Sequence, residues 1–122
     1  MIITNNNSKV NFTDENDVYV GYDTDQDCYE HAGYFITSVE DSVYTFDMEF
    51  PERDTTGYLF DTDYLVDDIT VSELELGGQV RFKLTHHTKE PIYLNLFNSH
   101  NGYYGHEFIA KIKDQKWKEG VL

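Results

Sequence analysis

Apolar and polar residues alternate over several short stretches of this chain. QVRFKLT sets Val80, Phe82 and Leu84 against Arg81, Lys83 and Thr85, the period of a strand with one buried face. After the turn-like HHTKEP, whose Pro91 suits the first residue of a strand, IYLNLFN reads as the next one. Asn101-Gly102 then signals a hairpin, because a type I′ turn needs positive φ at both central residues. YYGHEFIAKIK returns as a strand, and QKWKEGVL adds a short last one. A two-residue loop at Asn101-Gly102 would set Phe97 opposite His106, Asn95 opposite Phe108 and Leu94 across from Ile109. Both faces of that pair carry apolar groups, as in strands that are covered on both sides.

Upstream, DVYVGYD (17–23) and GYFITSV (33–39) are short strand candidates rich in aromatic and β-branched residues. SVYTFDMEF alternates Tyr44, Phe46, Met48 and Phe50 against Thr45, Asp47 and Glu49, which predicts a one-sided strand. With Asp41-Ser42 as a turn, residues 35–50 read as a hairpin, and PERDTTG reads as a loop. TDYLVDDI accommodates one or two helical turns over 62–69 with Thr62 as N-cap, or a strand. Gly77-Gly78 opens a C-terminal meander, and the asparagine-rich residues 1–8 read as loose. The expected fold is all-β, an antiparallel β-sandwich or small barrel with a C-terminal meander; a short helix near 62–69 would make it α+β.

Size and composition narrow the class. The 122 residues fit a single domain, 1–122, long enough to bury about two-thirds of its unfolded surface. The apolar fraction is only 39%, but its periodic grouping argues against disorder. MIITNNNSKV lacks a basic start and a long apolar run, and no segment is apolar enough to cross a bilayer. The lone cysteine cannot form an intrachain disulfide, so a soluble, cytoplasmic protein is expected.

Charge changes the picture most. The net charge is −14, and its distribution is uneven: residues 1–80 carry 19 acidic and two basic groups, whereas residues 81–122 carry four acidic and seven basic. A field of −17 over the first eighty residues repels nucleic acid and anionic membranes and attracts cationic surfaces and divalent ions. Solubility alone is served by a net magnitude of roughly 2–8 in a small domain.

Candidate chemistry centres on YDTDQDCYEH, residues 22–31. Asp23, Asp25 and Asp27 match the first three ligand positions of an EF-hand, but Cys28 and Tyr34 stand where that loop needs glycine and glutamate. A looser calcium site would join Asp23, Asp25 and Asp27 with Asp61 and Asp63. Cys28 and His31 form half of a zinc site, which His100 and His106, or His86 and His87, would have to complete. Cys28 is a poor nucleophile candidate, since Asp25, Asp27 and Glu30 disfavour its thiolate. No phosphate-binding glycine loop or nucleophile elbow is present, and no cofactor is expected.

The two stretches DCYE and NGYY together resemble a group of small, uncharacterised domains of bacterial and phage genomes. Those domains carry an Asp-Cys-Cys-Glu stretch and a Ser-Asn-Gly-Tyr-Tyr-Ser hairpin. Here Asp27, Cys28 and Glu30 match the first, with Tyr29 replacing the second cysteine. Asn101, Gly102, Tyr103 and Tyr104 match the second, with Gly105-His106 following. The resemblance implies a compact β-rich domain and the genetic setting of mobile elements; it transfers no catalytic residue.

The reading that follows is a non-enzymatic acidic protein that occupies a basic partner surface, such as that of a nuclease, toxin or other nucleic-acid-handling protein. It would not contact nucleic acid or membrane directly. Asp23, Asp25, Asp27, Glu30, Asp61, Asp63, Asp67 and Asp68 are the expected carboxylates, with Glu73 and Glu75 beside them. Tyr22, Tyr29, Tyr58 and Tyr64 are the expected exposed anchors.

Overall fold

The computed structural model describes residues 1–25, 31–71, 76–100 and 105–122, together with the backbone but not the side chains of Leu76 and His100. Nine strands run through these residues: β1 (Ile2–Asn6), β2 (Lys9–Thr13), β3 (Val18–Asp23), β4 (His31–Thr37), β5 (Leu59–Ile69), β6 (Leu76–Thr85), β7 (Ile92–His100), β8 (Glu107–Ile112) and β9 (Gln115–Val121). They form a five-stranded sheet in the order β1-β2-β3-β8-β9 and a four-stranded sheet in the order β4-β7-β6-β5. Every pairing is antiparallel, and neither sheet closes into a barrel. The fold is all-β.

Alternation decides which side chains meet between the sheets. Val10, Phe12, Val20, Tyr22, Phe108 and Ala110 point inward from the larger sheet. Val80, Phe82, Leu84, Leu94 and Leu96 point inward from the smaller one, and the two sets form a single buried cluster. One flank of this sandwich is closed by Trp117 of β9, which packs edge-on against Phe60 and Phe82. On the same flank Lys118 of β9 reaches Asp67 of β5, 2.8 Å away.

Asp14 ties the sheets together elsewhere. One carboxylate oxygen accepts the Val18 and Asn16 amides in the β2–β3 turn, and the other accepts the Phe60 amide at the start of β5. This acidic residue is structural.

The segment read as loose at the start is instead edge strand β1, joined to β2 by a tight turn in which Asn7 has φ 42°. Residues 62–69 are strand rather than helix. Two register irregularities interrupt β5, one between Phe60 and Leu65 and the other between Val66 and Ile69, and these bulges obscure its alternation. Residues 43–50 form no strand, so the expected 35–50 hairpin does not exist. The expected pairing of 92–98 with the 103–113 strand is also absent. β7 is flanked on both edges by β4 and β6, and β8 by β3 and β9, so no edge of either is left for the other. Between His100 and Glu107 the chain crosses from one sheet to the other; Asn101-Gly102 itself lies outside the described residues.

Candidate interaction surface

The two sheets differ on their outer sides. On the larger sheet Tyr19, Ile109 and Lys111 face outward, half-buried, around the buried Gly21 in a single layer. On the smaller sheet a second layer of protein lies over the strands. Residues 38–57, without regular structure, form a strap across it. Every residue of β7 from Ile92 to Ser99 is buried as a result.

Aromatic stacking and a buried polar cluster pin this strap. The Tyr44 ring lies flat on Phe97, with centroids 3.9 Å apart, and Phe50 stacks on Phe35. Beneath it, the Gln79 side chain accepts the Tyr44 amide at 2.9 Å and donates to the Ser42 carbonyl at 2.9 Å. The Asn95 side-chain oxygen accepts from Gln79 at 3.0 Å and from Arg81 at 2.8 Å. Arg81, only 6% exposed, also donates to the Ser42 carbonyl. These contacts satisfy backbone groups that a sheet ladder would otherwise take up, which is how an irregular segment can be covered without leaving polar groups unpaired. Further along, Arg53 Nε donates to the Ile36 carbonyl at 3.2 Å, and the Thr55 hydroxyl to the Met1 carbonyl at 3.2 Å.

Residues 38–54 carry six carboxylates (Glu40, Asp41, Asp47, Glu49, Glu52 and Asp54) against the single Arg53, a net −5, and all six are exposed. Phe46 projects among them and is 80% exposed, its ring edge-on to His31 at 5.3 Å. Tyr64 of β5 lies at the border of this surface, 5.8 Å from Tyr93. Burial first, and then the neighbouring charge of Glu40, hold its phenol above the usual value, while Arg81 pulls the other way. The strap thus presents six exposed carboxylates together with two exposed aromatic rings, Phe46 and the less exposed Phe50.

Among the described residues, the carboxylates singled out in the sequence are divided between the two sheets. Asp23 lies on the larger sheet, where it lines an open hollow of about 540 Å³ with Lys9, Glu107 and Glu119 above a floor of Gly21 and Ile109. A Cβ at Gly21 would fall 2.3 Å from the Tyr19 hydroxyl, so a larger residue there would make the Tyr19 ring swing aside. Asp25 is exposed just beyond Asp23. Asp61, Asp63, Asp67 and Asp68 all lie on β5 in the other sheet, and Asp67 is committed to Lys118, which holds its carboxyl below the ordinary range. Asp27, Glu30, Tyr29, Cys28, Glu73 and Glu75 lie outside the described residues.

Two tyrosines expected at the surface are in the core. Tyr22 is fully buried and its hydroxyl donates to the Phe97 carbonyl at 2.6 Å. Tyr58 is 5% exposed and donates to the Glu90 carbonyl at 2.9 Å. Each places a large apolar ring inside and gives its hydroxyl a backbone acceptor, the arrangement a buried tyrosine requires.

Among the described residues no group of three or more histidines, cysteines, aspartates and glutamates is placed to hold a metal ion. Of the zinc candidates, His106 is buried with its Nδ1 2.7 Å from the Asp23 carbonyl, and His31 is exposed beside Phe46. His86 and His87 stack on each other in the β6–β7 connection, where burial and the charge of the neighbouring His87 hold the His86 imidazole below its ordinary value.

No family model, curated protein or solved structure matches the chain. Both stretches behind the resemblance to bacterial and phage domains, DCYE and NGYY, lie outside the described residues. No described helix is long and apolar enough to cross a membrane.

The acidic strap escaped the sequence reading because its alternation imitates a strand. Tyr44, Phe46, Met48 and Phe50 were expected on one buried face, yet Phe46 is exposed while Tyr44 is buried. The available signal was the density of carboxylates at the intervening positions.

Proposed function

We propose that this protein is a non-enzymatic acidic interaction domain whose strap-covered face occupies a basic surface of a partner that handles nucleic acid. Partner lysines and arginines meet the strap carboxylates in place of phosphates, and Phe46 supplies apolar contact area at the centre. The outcome is steric and electrostatic blockade, as in an inhibitor of a host nuclease or an immunity protein against a basic toxin. The observation that carries this reading is the run of six exposed carboxylates with exposed Phe46 and Phe50 on a segment held down by buried stacking and hydrogen bonds. A pinned segment loses less conformational freedom on binding than a free loop would.

The test uses a panel of purified basic nucleic-acid-binding proteins, nucleases among them. At least one should form a complex whose affinity falls by about tenfold or more between low and moderate salt, and duplex DNA should compete for it. The triple variant Asp41→Lys, Asp47→Lys, Glu49→Lys should abolish that complex while keeping the melting temperature. A reversed variant that binds as tightly as the native protein, or an affinity indifferent to salt, overturns the reading.

A further inference from the structure

The four outer edges of the two sheets are not treated alike. An unpaired edge presents a row of free N–H and C=O groups, and folded proteins normally guard it with charge, bulges or a covering segment. β5 is bulged twice, carries Asp61, Asp63, Asp67 and Asp68, and has positive φ at Asp68. β9 carries Lys116, Lys118 and Glu119, and its pairing with β8 is also irregular. At β4 the strap approaches, and Arg53 occupies the Ile36 carbonyl. β1 has none of these devices. Its sequence, IITNN, contains no charge and no proline, its register with β2 is uninterrupted, and Ile2 is 66% exposed.

Beside β1 the sandwich is open. A groove of about 510 Å³ runs between β1 and β4, with Ile3 and Asn5 on one wall and Tyr34 and Ile36 on the other. Phe50 and the neighbouring pair Glu52-Arg53 complete its rim. A strand added to β1 would therefore extend the larger sheet and at the same time cover a mouth of mixed character, apolar at Ile3, Tyr34 and Ile36 and polar at Asn5 and the Glu52-Arg53 rim.

We propose that the occupant is a second copy of this chain, pairing antiparallel through β1 about a two-fold axis. Charge selects it. In a chain of net −14, residues 1–13 contain no acidic group, so two copies meeting there bring no carboxylates together from the paired strands. The rim is also self-complementary. A two-fold contact places residue i against j and j against i, so the oppositely charged rim neighbours Glu52 and Arg53 can pair reciprocally across the axis, and Arg53 is the only cation between residues 10 and 80. A register centred on Thr4 sets Ile3 of one copy against Asn5 of the other and joins the two grooves into one covered cavity. A five-residue edge is small beside a standard interface, so the dimer forms in the micromolar range rather than the nanomolar. This interface borders the strap through Phe50, Glu52 and Arg53 but requires no basic partner, so self-association tests it independently of the strap's proposed role.

Sedimentation equilibrium at about 0.15 M salt, where repulsion beyond roughly 8 Å is screened, tests it. The native chain should dimerise. Asn5→Lys, which puts a guarding cation on the edge, and Arg53→Glu, which sets like charges across the axis, should each weaken the dimer at least about tenfold with the monomer still folded by circular dichroism. The double variant Glu52→Arg, Arg53→Glu restores opposite charges and should recover it, which a merely structural role for Arg53 would not predict. A native chain that stays monomeric at about millimolar concentration overturns the proposal, as does dimerisation unchanged by Asn5→Lys.

Discussion

The outer sides of the two sheets are built on different terms. The larger sheet meets solvent through one layer, and its strands alternate as a half-buried sheet should: Val18, Val20 and Tyr22 inside, Tyr19 and Asp23 outside. The smaller sheet is roofed, and its β7 is buried on both faces. Roofing requires the outward positions of β6 and β7 to satisfy an irregular backbone as well as to pack against it. Gln79, Arg81 and Asn95, polar residues that on the bare sheet would simply be hydrated, are buried here as the hydrogen-bonding partners of Ser42 and Tyr44. An outward-facing polar residue thus has a different energetic weight on each side of the same sandwich.

Removal of the strap's aromatic anchor should have the largest effect. Tyr44→Ala is expected to cost about 3 kcal/mol in urea denaturation, in the range for deleting a buried aromatic side chain. It should also expose residues 38–57 to limited proteolysis. Ile109→Ala, on the bare outer face of the larger sheet, should cost about 1 kcal/mol or less, because this side chain is only half-buried. Equal costs at the two sites would mean that the strap contributes no packing.

Arg81→Ala should come next, at about 2 kcal/mol, since it removes two charge-assisted hydrogen bonds from a buried cluster and leaves Gln79 to serve the Asn95 oxygen and the Ser42 carbonyl. The matching truncation on the bare sheet, Lys111→Ala, should be close to neutral in the same assay. If Arg81→Ala were equally silent, water must reach the cluster and the roof is not sealed.

The smallest effect belongs to the flank that joins the two sheets. Lys118 depresses the Asp67 carboxyl through a hydrogen bond and its charge, and Asp67 in turn raises the Lys118 amine. A carboxyl depressed in the folded state adds stability above its unfolded value near ~3.9 and loses it as pH falls through the folded value. Lys118→Ala should therefore lower the melting temperature slightly at neutral pH and not at all in strong acid. Because both groups are exposed, the difference should also shrink with added salt. A loss that persists in acid would assign the role to the Lys118 alkyl chain, through packing.

The strands with one buried face were legible in the chain. QVRFKLT lies within β6 with Val80, Phe82 and Leu84 inward as expected, and DVYVGYD and YYGHEFIAKIK contain strands β3 and β8, because a period of two leaves few other ways to bury apolar side chains together. Less legible were the elements whose pattern depends on what lies over them. Asn101-Gly102 read as a hairpin because turn chemistry is local, whereas the choice of partner for β7 is made by β4 and β6, which are distant in sequence. Tyr22 and Tyr58 read as surface tyrosines because the acceptors that allow their hydroxyls to be buried, the carbonyls of Phe97 and Glu90, come from remote strands and turns.

By itself the sequence determined that this protein is built of short antiparallel strands and that its acidic groups crowd the first two-thirds of the chain. Both are sums over local properties, alternation in one case and charge in the other. Tertiary structure alone decided that Asp23 and Asp61 stand on different sheets, that Asp14 and Asp67 are engaged by other groups of the chain, and that residues 38–54 lie over the smaller sheet as an acidic strap. A carboxylate's neighbours are fixed by sheet order and strap placement, and those follow from long-range packing that no single stretch encodes.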